Sequence, residues 1–315
     1  MLPFAEDLDA DKIHVHVPTQ VIFLCGGQIS SLADKTPLSL RDAFYKINDN
    51  PVLRKRELIL AEDITAQLAI FDKYKDVLEF ETDLAQIVEL IILFCESEGS
   101  LAEFGAFAVI DEIAQRLFVV VREKHYEDLS FIKLGPIRRI QNRHGRDSVF
   151  VVDDDDIGIR GNSVSNVNPD TLRDRLQEPL LVRLGRPREP TTFDATRPGH
   201  VIKLIVGLIQ EYGALQLREI HALLRGLSVN STTDEMIERY LFCAENVSWL
   251  RRVSKGLSDY FVARPTSTDA ATIHSKPTAK ERNRSRRRML IREYWQRNDP
   301  QRFKAIAQGL RGPGA

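Results

Sequence analysis

Twelve consecutive residues, Glu96-Ser97-Glu98-Gly99-Ser100-Leu101-Ala102-Glu103-Phe104-Gly105-Ala106-Phe107, combine three carboxylates with small polar residues and glycines. They follow the apolar run Leu90–Cys95 and open a helical pattern expected over Leu101–Gln115. At such a strand-to-helix turn the first helical amides point outward and favour an anion, which suits a sugar-phosphate ligand. Gly99 lets the backbone approach a ligand closely. Glu103, expected in the first helical turn, is favoured as the carboxylate by the helix dipole. An ionised, positioned carboxylate is what nucleophilic attack on a glycosidic carbon requires. A plainer reading competes with this one. Ser100-x-x-Glu103 has the spacing of a capping box, in which the serine caps the helix and the glutamate reaches back. On spacing alone the cap is favoured.

The elements that must position this segment are legible as buried runs. Val21–Cys25 (VIFLC) reads as a strand ending at Gly26-Gly27, and Leu58–Ala61 as a second. Asp76–Gln86 is helix-like, Leu90–Cys95 is the clearest strand, and Leu117–Val121 and Ser148–Val152 close the series. Continuous apolar strands separated by helices indicate an α/β fold with a parallel sheet covered on both faces. Ligands of such sheets bind beyond the carboxyl ends of the strands, so Gly26, Gly27 and the residues after Cys95 are the first candidates. Cys25 and Cys95 end two strands of one sheet and read as buried free thiols. His125 and His144 have no ligand spacing and read as surface residues.

The chain has 315 residues, 43% hydrophobic and 28% charged, which excludes wholesale disorder and fibrous repeats. Two domains are expected at this length. No apolar run approaches a membrane span, since Ile87–Phe94 is broken by Glu89. The acidic start MLPFAEDLDADK has no signal-peptide core. Three cysteines without a CxxC pair argue against a disulfide framework or a zinc site. A cytoplasmic protein with no metal is expected. The net charge of −1 hides a split. Residues 1–160 hold 18 basic and 29 acidic side chains, and the remainder hold 26 and 16. The basic half is suited to a polyanion, or the two halves simply attract each other.

At this point the sequence becomes recognisable. FLCGG at 23–27, AED at 61–63, ELIILFCESEGSLAEFGAF at 89–107 and SFIKLGPIRRI at 130–140 occur in order. These blocks resemble the nucleoside deoxyribosyltransferase-like effectors encoded beside retron reverse transcriptases. The resemblance is close over about 20–152 and rests on arrangement beyond that. It implies that Glu103 is the catalytic carboxylate attacking C1′ of an N-ribosyl bond. It implies that Ser97, Gly99 and Ser100 are ribose or phosphate contacts, that Gly26 and Gly27 line the opposite wall, and that Glu62 and Asp63 hold sugar hydroxyls. Glu98 stands where related effectors carry proline; it would raise the nucleophile's pKa or face solvent. The implied activity is that of a toxin cleaving NAD or nucleotides, with NAD as substrate and no cofactor. The implied partners are the reverse transcriptase and multicopy single-stranded DNA with its RNA, in a higher-order assembly. Alternatives are a non-catalytic nucleic-acid-binding adaptor on a degenerate enzyme fold, and a metabolic nucleoside deoxyribosyltransferase.

The second half reads differently. A helix runs from Asn168-Pro169-Asp170 to Leu184, and Gly185–Gly199 reads as a linker. Helices over His200–Tyr212, Leu217–Leu224 and Thr233–Glu245, then a hairpin of Trp249–Val253 and Tyr260–Ala263, give the order of a winged helix-turn-helix. Its would-be recognition helix carries Asp234, Glu235, Glu238 and Glu245 against Arg239 alone, which repels phosphates. Backbone contacts are expected instead from Arg251, Arg252 and Lys255 on the wing, and from Arg282, Arg284, Arg286, Arg287 and Arg288 in a basic C-terminal tail. Arg138, Arg139, Arg143 and Arg146 share no tidy face; they contact a nucleic acid or the reverse transcriptase, or balance the acidic half. The expected domains are 1–155 (catalytic), 156–199 (helix and linker), 200–264 (winged helix) and 265–315 (tail).

Overall fold

The computed structural model describes residues 2–18, 20–47, 50, 52–65, 70–127, 129–161, 163–265 and 268–310. The chain divides into two compact units, each assembled from separate segments. A sheet unit comprises Thr19–Gln67 and Val88–Pro187; a helical unit comprises Met1–Pro18, Leu68–Ile87 and Arg188–Ala315. Elements are numbered in chain order through both units.

The sheet unit holds five parallel strands: β2 (Val21–Cys25), β3 (Glu57–Leu60), β4 (Leu90–Cys95), β5 (Leu117–Arg122) and β6 (Val149–Val152), in the order β3-β2-β4-β5-β6. Every residue of β2, β4 and β5 is buried, as expected of strands covered on both faces. The strand order reverses between β2 and β4, which pair Ile22 with Leu90 through Cys25 with Leu93. The crevice at their carboxyl ends is therefore the topological switch point. Helices α1 (Leu40–Tyr45), α2 (Ala61–Thr65), α4 (Glu98–Val109), α5 (Asp111–Ala114), α6 (Glu123–Glu127) and α7 (Arg138–His144) connect the strands. The helix expected over Leu101–Gln115 starts three residues earlier and breaks at the extended Ile110.

Helix α8 (Pro169–Leu184) belongs to this unit and not to a linker domain beginning at 156. Leu172, Leu176 and Leu180, spaced to form one face, are fully buried against the sheet core with Phe44 and Phe118. Arg183 at its end is fully buried and donates to the carbonyls of Leu117 (3.0 Å), His144 (3.0 Å) and Gln115 (2.8 Å).

In the helical unit, β1 (Leu8–Val15) pairs antiparallel with both β7 (Thr191–Thr192) and β11 (Ala271–Ser275). The three helices expected after 199 are α9 (Pro198–Tyr212), α10 (Leu217–Gly226) and α11 (Asp234–Asn246). The hairpin is β9 (Leu250–Lys255) and β10 (Ser258–Ala263), with a short β8 (Ala214–Leu215) added on the other side of β10. Helix α3 (Val77–Ala85), expected inside the catalytic domain, packs in this unit instead: Phe80, edge to face, and Tyr74, tilted, lie against Phe242 of α11. The segment expected as a basic tail is folded: β11 pairs Ile273 with Ile13, and α12 (Arg284–Asn298) and α13 (Pro300–Leu310) bury Ile291, Trp295, Ala305 and Ile306. Boundaries at 155, 199 and 264 therefore do not follow these units. Among the described residues no helix is long and apolar enough to cross a membrane.

Candidate functional site

The carboxyl end of β2 is built around Glu96, the first residue after β4. Its carboxylate accepts from the amides of Leu40 (2.6 Å), Arg41 (3.0 Å) and Gly27 (3.3 Å). With Ser39, whose hydroxyl accepts from Asp42 N at 2.9 Å, it satisfies the start of α1. Burial pushes its carboxyl up, and the amides pull the other way. This close approach dictates the glycines. A Cβ on Gly27 would lie 2.7 Å from Ser39 Cβ and 3.0 Å from a Glu96 oxygen. Gly26 has φ +146°, and a Cβ there would lie 2.8 Å from Phe94 Cβ.

Arg41 then enters the crevice, buried. It donates to Leu24 O (2.7 Å) and Gly27 O (3.1 Å), and grips both carboxylate oxygens of Glu62 on α2 at 2.5 and 2.7 Å. Glu62 is thus committed to a fork-shaped pair, which fixes the guanidinium in one orientation. Asp63 beside it is exposed.

Glu103 lies on α4 within the electrostatic reach of both. Burial pushes its carboxyl up to about 7, Arg41 works against this and Glu62 adds to it. Its Oε2 is buried without a hydrogen-bond partner. Two expectations are corrected here. The capping box is Ser97 with Ser100: the Ser97 hydroxyl accepts from Ser100 N (3.2 Å), and the Ser100 hydroxyl accepts from Ser97 N (2.9 Å). Glu103 takes no part in it. Because the helix begins at Glu98, Glu103 lies in the second turn, where the dipole is weaker, and desolvation dominates. Glu98 is exposed and is not among the groups acting on Glu103. Gly99 is exposed with open space where a Cβ would stand, so chain packing does not require glycine there.

A cavity of about 410 Å³ opens beside this crevice, at the carboxyl ends of β4 and β5. Cys95, Leu101, Val121 and Ile132 form its apolar walls, with His125 and Ser130 among the polar ones. Cys25 and Cys95 are buried and form no disulfide among the described residues.

Over residues 37–252 the sequence matches the STM3845 retron effector protein family. The chain belongs to that family. Two relatives are Escherichia coli proteins named as candidate ribosyltransferase/DNA-binding proteins of retrons Ec86 and Ec73. The first is 31% identical over 120 residues, 38% of this chain and 37% of the relative. The second is 32% identical over 145 residues, 45% of each chain. The chain therefore spans less than half the length of these curated relatives.

The family match takes in Arg41, Glu62, Glu96 and Glu103 of this retron effector. Arg41 is absent from the residues the sequence singles out, and Glu96 is in the candidate segment with no role assigned to it. One signal for Arg41 was present: a cation in a first helical turn opposes the dipole and so needs another reason. Gly26, Gly27, Glu62 and Glu103 do converge; Ser97, Gly99 and Ser100 form the start of α4.

The expected nucleic-acid contacts fare unevenly. Arg284, Arg287 and Arg288 all donate to the buried Glu211, at 3.1, 2.7 and 2.9 Å; Arg287 is buried and the other two are half-buried. Arg282 and Arg286 are exposed, Arg286 with Glu281 at 3.2 Å. On the hairpin Arg252 lies over the Phe261 ring at 5.0 Å, Arg251 is half-buried, and Lys255 sits before the turn. One side of α11 is occupied: Arg239 pairs with Glu79, Lys73 with Glu238, and Tyr74 donates to Arg239 O at 3.1 Å. Arg139 donates to Ala108 O at 2.9 Å and Arg143 to Asp111 at 2.8 Å, tying α7 to α4 and α5; Arg138 and Arg146 are exposed. His125 is exposed and His144 half-buried; the backbone carbonyl of His144 accepts from Arg183 at 3.0 Å.

Proposed function

We propose that this effector is a toxin that cleaves an N-glycosidic bond of NAD or a related nucleotide, with Glu103 as nucleophile. The observation that carries this reading is the half-buried Glu103 carboxyl at the switch point, whose Oε2 is buried and unpartnered. Buried polar atoms are rarely left unpaired without a reason. The names of the two E. coli relatives, as ribosyltransferases, agree with it.

In the proposed reaction a Glu103 oxygen bonds to C1′ as the C1′–N bond breaks. The bonding pair leaves with the base, and for NAD this neutralises the pyridinium, so nicotinamide departs without an acid. Water then attacks C1′, the ester oxygen returns to Glu103, and the proton goes to solvent. Arg41, held by Glu62, keeps a fixed positive charge beside the carboxylate and favours its ionised form. A carboxyl near 7 is a better nucleophile once ionised than one near 4, at the cost of needing neutral or higher pH.

The order α9-β8-α10-α11-β9-β10 supports a winged-helix reading of the second unit. With α11 partly covered by α3 and lined by acids, the candidate contacts to DNA are the wing residues Arg251, Arg252 and Lys255 together with Arg282 and Arg286. In this reading the reverse transcriptase and multicopy single-stranded DNA restrain the toxin through that unit.

The test is nicotinamide release from NAD by the purified chain and by Glu103→Gln. Loss of release in a folded variant supports the mechanism. Full activity in the variant rejects Glu103 as nucleophile. Transfer of the sugar to a free base in place of hydrolysis would favour a metabolic deoxyribosyltransferase, and no turnover of any nucleotide a binding adaptor.

A further inference from the structure

The cavity beside the crevice has no part in the proposed bond cleavage. It lies between the ends of β4 and β5, whereas Gly26, Gly27, Arg41 and Glu62 lie about the end of β2. Glu96, at the end of β4, borders both, and the first turn of α4 begins beside it. Glu98 and Leu101 are three residues apart and share the face that lines the cavity. Glu103, two residues beyond Leu101, is rotated by roughly 200° and belongs to the face toward Arg41.

We propose that this cavity holds the second nucleoside of a dinucleotide substrate, so that the ligand straddles the first turn of α4 with its scissile sugar at Glu103. The inference rests on the reading of Glu103 as nucleophile. Its volume, about 410 Å³, is in the range of small-molecule sites and suits one heterocycle with its ribose. Leu101, Val121 and Ile132 offer apolar walls for the faces of a planar base. Ser130 and His125 supply polar groups for its edge. Glu98 places an exposed carboxylate at the same cavity, and a carboxylate accepting from vicinal hydroxyls is the usual way a protein holds a ribose diol. A mononucleotide would leave all of this unused.

The experiment compares NAD with nicotinamide mononucleotide, which has the same scissile bond but no second nucleoside. Ile132→Trp fills the cavity, and Glu98→Gln leaves one acceptor oxygen where two faced the diol, at an exposed position where no folding defect is expected. For NAD, KM should rise about tenfold in Ile132→Trp and about fivefold in Glu98→Gln, with kcat little changed. For nicotinamide mononucleotide, KM and kcat should stay within about twofold, which also reports that the variants are folded. Adenosine should compete with NAD in the wild type and lose that competition in Ile132→Trp. Equal effects on both substrates, or no effect on either, overturn the proposal while leaving Glu103 as nucleophile intact. If the wild type cleaves neither substrate, the glycosidase reading fails; calorimetric binding of adenosine that Ile132→Trp abolishes would still support a nucleoside site, and its absence in the wild type would overturn that too.

Discussion

Among the described residues, two glutamates that lie within reach of arginine, one in each unit, meet opposite outcomes. Glu211, on α9, is fully buried and accepts from three guanidinium groups. Those arginines also donate to Ala271 O (3.0 Å), Ile273 O (3.1 Å) and Asp269 (3.0 Å), so the cluster fastens α9, α12 and β11 together. Around Glu103 there is one guanidinium, already committed to Glu62 and two carbonyls. Glu211 is saturated, and Glu103 keeps an oxygen to spare. Saturation makes a structural lock. Leaving one acceptor unmet in a solvent-poor crevice makes a group whose free energy falls when it finds a partner, which is the condition for binding and attack.

The same substitution separates the two sites. Glu103→Gln keeps the shape and removes the nucleophile; release of nicotinamide should fall at least about 10³-fold, equivalent to ~4 kcal/mol in the barrier. Glu211→Gln should instead cost stability, about 3–5 kcal/mol, because it leaves the buried Arg287 guanidinium without its counter-charge. Urea midpoints at constant slope measure this. A loss below ~1 kcal/mol would mean that Asp269 alone balances the arginines and the lock is redundant.

Stability should move the other way at Glu103. Its folded carboxyl is raised to about 7 from an ordinary 4.5. The protonated form is therefore favoured by folding, a stabilisation complete below 4.5 and lost as pH rises through 7. At pH 8 the ionised side chain costs up to about 3 kcal/mol, before any discount for water reaching the crevice. Glu103→Gln should be more stable than the wild type at pH 8 and equal to it at pH 4. Wild-type turnover should rise with pH through about 7, in step with the loss of that stabilisation. A pH-independent stability difference would place Glu103 in a solvated setting and remove the basis of the comparison.

The sheet was legible because strands buried on both faces are continuous apolar runs, and Val21–Cys25 and Leu90–Cys95 fall where their residues say. Glu103 was legible as a motif, but its environment was not. The Arg41–Glu62 pair joins residues 21 apart through a tertiary contact that leaves no periodic trace. The cap was misread because Ser97 and Ser100 can both start a helix, and only backbone geometry chooses between them. The two compact units depart from the expected boundaries for a related reason. β1 and β11 pair across some 260 residues, and neither strand announces its partner. Arginines were the hardest: a cluster reads alike whether it faces solvent or closes on a glutamate far earlier in the chain, as Arg287 does on Glu211.

That ambiguity sets the smallest of the expected effects. Of the five arginines between 282 and 288, three are fastened to Glu211 and two, Arg282 and Arg286, remain on the surface. Arg286 shares its charge with Glu281 at 3.2 Å, but with 69% of the side chain exposed that pair is screened and weak. If this unit grips single-stranded DNA, those two guanidinium groups are available to phosphate without unfolding anything. Each phosphate contact on a single strand contributes a slope of about 0.7 in log affinity against log salt. Replacing both by glutamine should flatten the slope by about 1.4, weaken all sequences alike, and leave the urea midpoint within ~0.5 kcal/mol of wild type. Replacing Arg287 instead should lower the midpoint first, and any loss of DNA affinity would follow from unfolding. An unchanged slope in the double variant would assign Arg282 and Arg286 to a solvated face and move the contact to Arg251, Arg252 and Lys255, where the same slope measurement applies to the hairpin.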